Sequence, residues 1–427
     1  MRRFVPRAIV GLAVALGFAV VSAQSSSIWV SRDHAAIQYS KRPTHDPIVR
    51  LNEAVEQGAV TLAFDAPPRG YLASVLKAVD IPASSQTLVF SENSLQRSHI
   101  SQRTPRAIYF NDTVSVAWAM GAETIEATAL DPTQGVHFYS IPQKREPKPQ
   151  FIRRNADCLQ CHLLPQTHGV PGVLTMSVLP LSDNKNDYAQ GWEADHRTPI
   201  EDRWGGWYVT GSQVPAKHLG NVPVLHVPKS YMRAEVAPKL ATGRDAFDTS
   251  PYLTPHSDVV ALMVLNHQTR MTNLLTRLAW QSRIAAHDSA KAGGMPPHVR
   301  DTAHELVDYM LFVDEFPLPS PVRGASAFTK EFPSKGPRDS KGRSLRDFDL
   351  SRHLFRYPCS YMIYTEAFDA LPAPAKALVY ERMWSILSGA VKDAEYAKLS
   401  AADRRAIVEI LSETKKDLPA NWQGQPK

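Results

Sequence analysis

The strongest constraint on how this chain folds is a change of hydrophobic period near Ser257. Upstream of it, short runs rich in β-branched and aromatic residues dominate: Thr87-Leu88-Val89-Phe90, Ala107-Ile108-Tyr109-Phe110, Val114-Ser115-Val116-Ala117-Trp118, and residues 125–129 and 136–141. Asn111-Asp112 and Asp131-Pro132-Thr133-Gln134-Gly135 fall between such runs and carry turn chemistry. An antiparallel meander of about five strands is therefore expected. Residues 172–180 and 206–210 read as further strands, and residues 71–79 have helical spacing. From Ser257 onward apolar residues recur every three or four positions. Ser257 is a favourable N-cap and Asp258 suits a first helical turn, so a helix is predicted to run to about Ala286. Residues 297–312, 372–388 and 401–416 predict three more. The expected class is α+β, with a β-rich N-terminal part, a central segment and a helical C-terminal part.

The termini and the charge narrow the setting. Arg2, Arg3 and Arg7 precede an uncharged apolar run over 8–21, and Val21-Ser22-Ala23 offers small residues for cleavage. That pattern predicts a Sec-type signal peptide over 1–23, its apolar run being shorter than the roughly 20 residues of a spanning helix. No Cys follows Ala23 to accept a lipid, and no later stretch is apolar enough to span a bilayer, so a soluble periplasmic protein is expected. The formal charge of +6 includes the leader arginines; a mildly cationic mature chain argues against nucleic acid as a partner. Three cysteines in 427 residues do not make a disulfide scaffold. The remaining organisation reads as a β-rich region over 24–149, a central region over 150–250 and a helical region over 251–427. A proline- and glycine-punctuated connection over 316–349 is long enough to be functional or irregular.

The chemistry concentrates at Cys158-Leu159-Gln160-Cys161-His162. In Cys-x-x-Cys-His, each thiol can add to a haem vinyl group while the adjoining imidazole meets the iron as its proximal ligand. A thioredoxin-like site would want a strand before the pair and alternating β/α units. Structural zinc would want further ligands. A bare disulfide would leave His162 unexplained. One covalently attached haem c is the expected cofactor.

At this motif the chain resembles the c-type cytochromes. Over most of its length it is similar to a group of largely uncharacterised single-haem periplasmic proteins of environmental bacteria. The stretches that carry the resemblance are residues 106–112, 158–162 with 167–172, 203–211, 321–324 and 356–360. It implies haem and export rather than a reaction. A second Cys-x-x-Cys-His, as in di-haem peroxidases, is absent, which weighs against a peroxidase.

What occupies the iron's other face decides between carrier and catalyst. Val260, Val264, His267, Met271, Leu274 and Leu278 form one helical seam, so His267 points inward and is the first candidate for a second ligand. The competing reading is a core histidine satisfied by a hydrogen bond. His218, in a turn after the Trp-rich strand, is the second candidate. His168 and Met232 are weaker ones, Met271 reads as plain core, and His196 as a loop residue bonded to Asp195 or Asp202. Arg203-Trp204-Gly205-Gly206-Trp207 offers flat indole walls and close backbone approach, so Trp204 is a candidate haem wall. Arg203 and Arg356 are candidate partners of the propionates. Gly324 and its proline-rich surroundings could lid a pocket, and Cys359 reads as buried and structural. The leading expectation is periplasmic electron transfer through a six-coordinate haem, with an unidentified redox protein as partner. The alternative is a haem-dependent redox enzyme or small-ligand sensor with an open distal face.

Overall fold

The computed structural model describes residues 29–178, 191–222, 247–288 and 295–423. Strands β1 (Thr87–Val89), β2 (Arg106–Phe110), β3 (Val114–Trp118), β4 (Thr124–Asp131) and β5 (Gly135–Pro142) run antiparallel in chain order, the meander that the alternation predicts. Side chains close the turns. The Asn111 amide oxygen accepts from the backbone N–H groups of Thr113 and Val114 at 3.0 and 2.9 Å, and the Asp131 carboxylate does the same for Thr133 and Gln134 at 2.8 and 2.7 Å.

Two short strands extend the meander. β6 (Ile152–Arg153) pairs with β5 at one edge. The second addition comes from farther along the chain, past a two-stranded ladder of β7 (Met176–Val178) and β8 (Gly191–Glu193). It is β9 (Trp207–Tyr208), which pairs with β1 at the other edge. The sheet order is β6-β5-β4-β3-β2-β1-β9. β7 and β9 are shorter than the runs expected over 172–180 and 206–210, and residues 179 and 180 lie outside the described ones. β10 (Gly211–Gln213) pairs with β11 (Arg323–Gly324), inside the long 316–349 connection.

The period of two gives this sheet two faces. Tyr109, Val116, Trp118, Ile125 and Ile141 point to one side, where they form a core with helices α1 (Pro47–Glu56) and α2 (Leu72–Ala78). Arg106, Ile108, Ser115, Ala117, Glu126 and Thr128 point to the other, towards α3 (Asn155–His162) and α4 (Val259–Asp288). The remaining helices are α5 (Pro297–Met310), α6 (Phe328–Ser334), α7 (Glu366–Asp369), α8 (Ala373–Leu387) and α9 (Ala401–Thr414). With α4 they build the largest apolar core, in the C-terminal half. The architecture is thus α+β, an antiparallel sheet followed by helices. Among the described residues no helix is long and apolar enough to cross a membrane.

The start of α4 departs from expectation. Ser257 does not cap it: its hydroxyl donates to the Tyr208 carbonyl and accepts from Leu88 N–H at 2.8 Å, tying β9 to β1. Asp258 supplies the cap, one carboxylate oxygen accepting from Val260 and Ala261 N–H at 2.8 and 3.1 Å. Its other oxygen accepts from Ala325 and Ser326 N–H, both at 2.8 Å, so one side chain fixes both the helix and the segment after β11.

Candidate functional site

The site begins where β6 hands over to α3. Arg154 N–H donates to the Phe138 carbonyl at 2.7 Å, and the Asn155 side chain accepts from Phe138 N–H at 3.1 Å, so α3 is pinned to β5 at its first residue. In a helix, residues three and four apart share a face. Cys158, Cys161 and His162 therefore project together, while Leu159 turns into an apolar core with Phe138 and Val170. The two thiols and the imidazole line one cavity that opens to solvent.

The facing wall is the second face of the meander: Arg106, Ile108, Ser115, Ala117, Glu126 and Thr128, three adjacent strands contributing two residues each. Leu265 and Thr269 of α4 close a side, and Leu95, 62% exposed, stands at the rim. Arg106 and Glu126 form an ion pair within the wall. The Arg106 Nε has no hydrogen-bond partner although it is buried.

His162 is held in one state. A carbonyl can only accept, so the 2.9 Å bond between His162 Nδ1 and the Gly172 carbonyl places the proton on Nδ1. The Gly172 N–H returns a bond to the His162 carbonyl at 2.9 Å. Nε2, which has no hydrogen-bond partner among the described residues, thus carries a free lone pair. Burial holds the imidazole below its ordinary pKa; the Gly172 bond opposes this, Arg106 adds to it and Glu126 opposes it. The loop that presents Gly172 is clamped by α4: the Asn273 amide accepts from Val173 N–H at 3.0 Å and donates to Val173 O at 2.8 Å. A side chain at position 172 would collide with that amide. Burial also pushes the Cys158 thiol up to about 11.

The other expected site residues lie elsewhere. His267 is inward-facing, as its seam requires, but it does not line the cavity. Its Nδ1 meets Nδ1 of His196 at 3.0 Å, its Nε2 meets the Ser360 hydroxyl at 2.7 Å, and its ring stacks on Phe312 and Tyr309. It is a core histidine with both nitrogens engaged. His196 accordingly bonds His267 rather than a carboxylate. His218 is buried edge-on against Trp204, ring centroids 5.4 Å apart, and is not a cavity residue. Trp204 packs in the helical core and donates from its indole to the Asn266 amide at 3.0 Å. Arg203 donates to the carbonyls of Thr198 and His196 at 2.6 and 2.8 Å, organising the 196–203 loop instead of facing a carboxylate in the cavity. Arg356 and Gly324 also lie away from it, Gly324 being held in β11. Met271 and Cys359 are fully buried in the helical core. Met232 lies outside the described residues.

Beside the His162 loop stands a partly buried charged group. Arg270 pairs with Glu193 and Glu305, both at 2.9 Å, and reaches Asp195 at 3.6 Å. His168, in a left-handed conformation, lies 3.9 Å from Glu305. Burial raises the Glu193 carboxyl to about 7 against the pull of Arg270.

Arg106, Glu126, Leu265 and Thr269 enter the site without having been marked by sequence reasoning. Neither charge stands out in the alternation: Glu126 shares the polar face of β4 with Thr124 and Thr128, and Arg106 opens β2, so both read as solvent-facing until the strand register is known.

No family model, curated protein or solved structure matches this chain.

Proposed function

We propose that this chain is an exported single-haem c-type protein, tethering its haem through Cys158 and Cys161 and ligating the iron with His162. We propose further that it works as a small-ligand-binding or redox protein with an open second haem face. Bound there, the haem would supply an iron centre able to change oxidation state and accept a ligand.

The observation that carries the reading is the convergence of both thiols and the free Nε2 lone pair of His162 on one cavity. An imidazole whose Nδ1–H is engaged by a carbonyl is oriented, and made more basic, for ligation through Nε2. Ile108, Ala117 and Leu265 give the cavity apolar walls suited to a flat hydrophobic ring. The predicted leader supports export to the compartment where such attachment is expected.

The second half of the proposal rests on the facing wall. A six-coordinate carrier needs a second strong ligand, and among the described residues lining the cavity His162 is the only histidine and there is no methionine or lysine. His267, the expected second ligand, is spent on His196 and Ser360.

Two measurements test the halves separately. Denatured protein should retain peroxidase-active haem stain, with an intact mass exceeding the polypeptide by one haem; a mass equal to the polypeptide alone refutes covalent attachment. The dithionite-reduced protein should bind carbon monoxide rapidly, shifting its Soret band. A ferrous spectrum untouched by carbon monoxide would restore the six-coordinate carrier.

A further inference from the structure

The wall facing α3 carries charge at one place, and that place is built. Arg106 on β2 and Glu126 on β4 reach towards each other over β3, where Ala117 lies between Ile108 and Glu126. Their ion pair is largely sheltered, with side-chain exposures of 18% and 21%. It engages one terminal nitrogen of the guanidinium and leaves Nε, also buried, without an acceptor. Ser115 and Thr128, directly opposite each other on β3 and β4, add two hydroxyls to the same wall. Nε is closed off from the cavity, but the other terminal nitrogen has no partner among the described residues and belongs to a side chain that lines the cavity, so it is the donor that can meet an acceptor there. Glu126 meanwhile fixes the direction in which the guanidinium presents its donors.

We infer that Arg106, held in place by Glu126, positions a small hydrogen-bond-accepting ligand in this cavity, of the class of compact anions and oxyanions rather than apolar diatomics. The inference rests on the open-face reading given above. Arg106 is a positioning residue: it orients and holds the ligand's outer, lone-pair-bearing atom. Glu126 keeps the pair near neutrality, so what the wall offers is a directed donor rather than a bare positive charge.

The test uses the haem-loaded protein and three probes: fluoride and azide against the ferric form, and carbon monoxide against the ferrous form. Arg106→Gln should weaken fluoride and azide roughly ten- to hundredfold, the usual range for losing a charge-assisted hydrogen bond. Carbon monoxide affinity should change less than about threefold, because its outer atom is a poor acceptor, and general damage to the cavity would move all three probes together. Glu126→Gln, which keeps the shape and frees the guanidinium, should change anion affinity severalfold while leaving carbon monoxide alone; it also serves if Arg106→Gln fails to retain haem. Unchanged fluoride and azide affinities in these variants, with a shifted reduction potential, would overturn the inference and assign Arg106 to a haem propionate instead. A wild-type protein that binds none of the three probes would overturn the open-face reading, and this inference with it.

Discussion

At the scale of single residues, hydrogen-bond accounting separates two inward-facing histidines, the half-buried His162 and the buried His267, which the sequence offers as ligands for opposite faces of one iron. His162 and His267 both face inward, and burial lowers the basicity of both. His162 has one nitrogen engaged and one available, whereas His267 has neither free. The His196 and His267 Nδ1 atoms, 3.0 Å apart, share a single hydrogen, so the accepting ring is neutral, and burial disfavours a charge on the other. Replacing His267 by Ala should therefore leave the optical spectrum and spin state of the haem-loaded protein unchanged. It should nonetheless lower the unfolding free energy by about 2–4 kcal/mol, since His196 and Ser360 lose a partner and a ring-sized void remains. Urea unfolding followed in parallel with the Soret band checks both statements. A conversion to high spin would return His267 to the iron.

At the scale of elements, the sheet was legible and the orientation of α4 was not. The five strands of the meander could be read because period-two alternation and two Asx-type turns agree, and each excludes a register slip. The short edge strand β9 was harder, because its partner β1 lies more than a hundred residues earlier. Helix α4 was predicted to within a few residues, but it is buried on nearly every side. Its apolar pattern therefore does not say which side meets the cavity. Leu265 and Thr269 face it; His267, on another side, meets the core under α5. The motif 158–162 was readable as a unit because its spacing alone brings Cys158, Cys161 and His162 to one face of a helix, whereas the Arg106–Glu126 wall needs the strand register before its two halves meet. The cap of α4 offers a test at this scale. Asp258→Ala removes two bonds at the helix start and two to Ala325 and Ser326. A loss of about 2 kcal/mol or more is expected, since a cap alone accounts for roughly 0.5–2 kcal/mol. Amide hydrogen exchange should rise at both 259–262 and 324–327. Acceleration at the helix start alone would show that the β11 segment is held by other contacts.

At the scale of the whole molecule, the buried titratable groups make stability depend on pH with a sign that can be worked out. Burial depresses His267 to about 3, His137 to about 3 with Arg153 adding to the effect, and His168 to about 4 with Arg270 adding to it; His196 is also strongly depressed. In the unfolded chain each binds a proton near pH 6.5. Between that value and the folded ones the unfolded state holds more protons, so stability falls as pH drops, by up to about 1.4 kcal/mol per pH unit for each histidine. Glu193 acts in the opposite direction. Burial raises it to about 7, so between its unfolded value near 4.3 and about 7 the folded state holds the extra proton, and acidification strengthens folding by a similar amount. The histidines outnumber it, and net destabilisation is expected below about pH 6.5. Glu193→Gln removes the opposing proton. Whatever it does to stability at pH 8 through the loss of the Arg270 pair, its free energy of unfolding should fall more steeply than wild type between pH 6.5 and 5. Denaturant unfolding at half-unit steps reads that slope directly. Parallel curves for the two proteins would mean that Glu193 stays ionised in the fold, with Arg270 outweighing its burial.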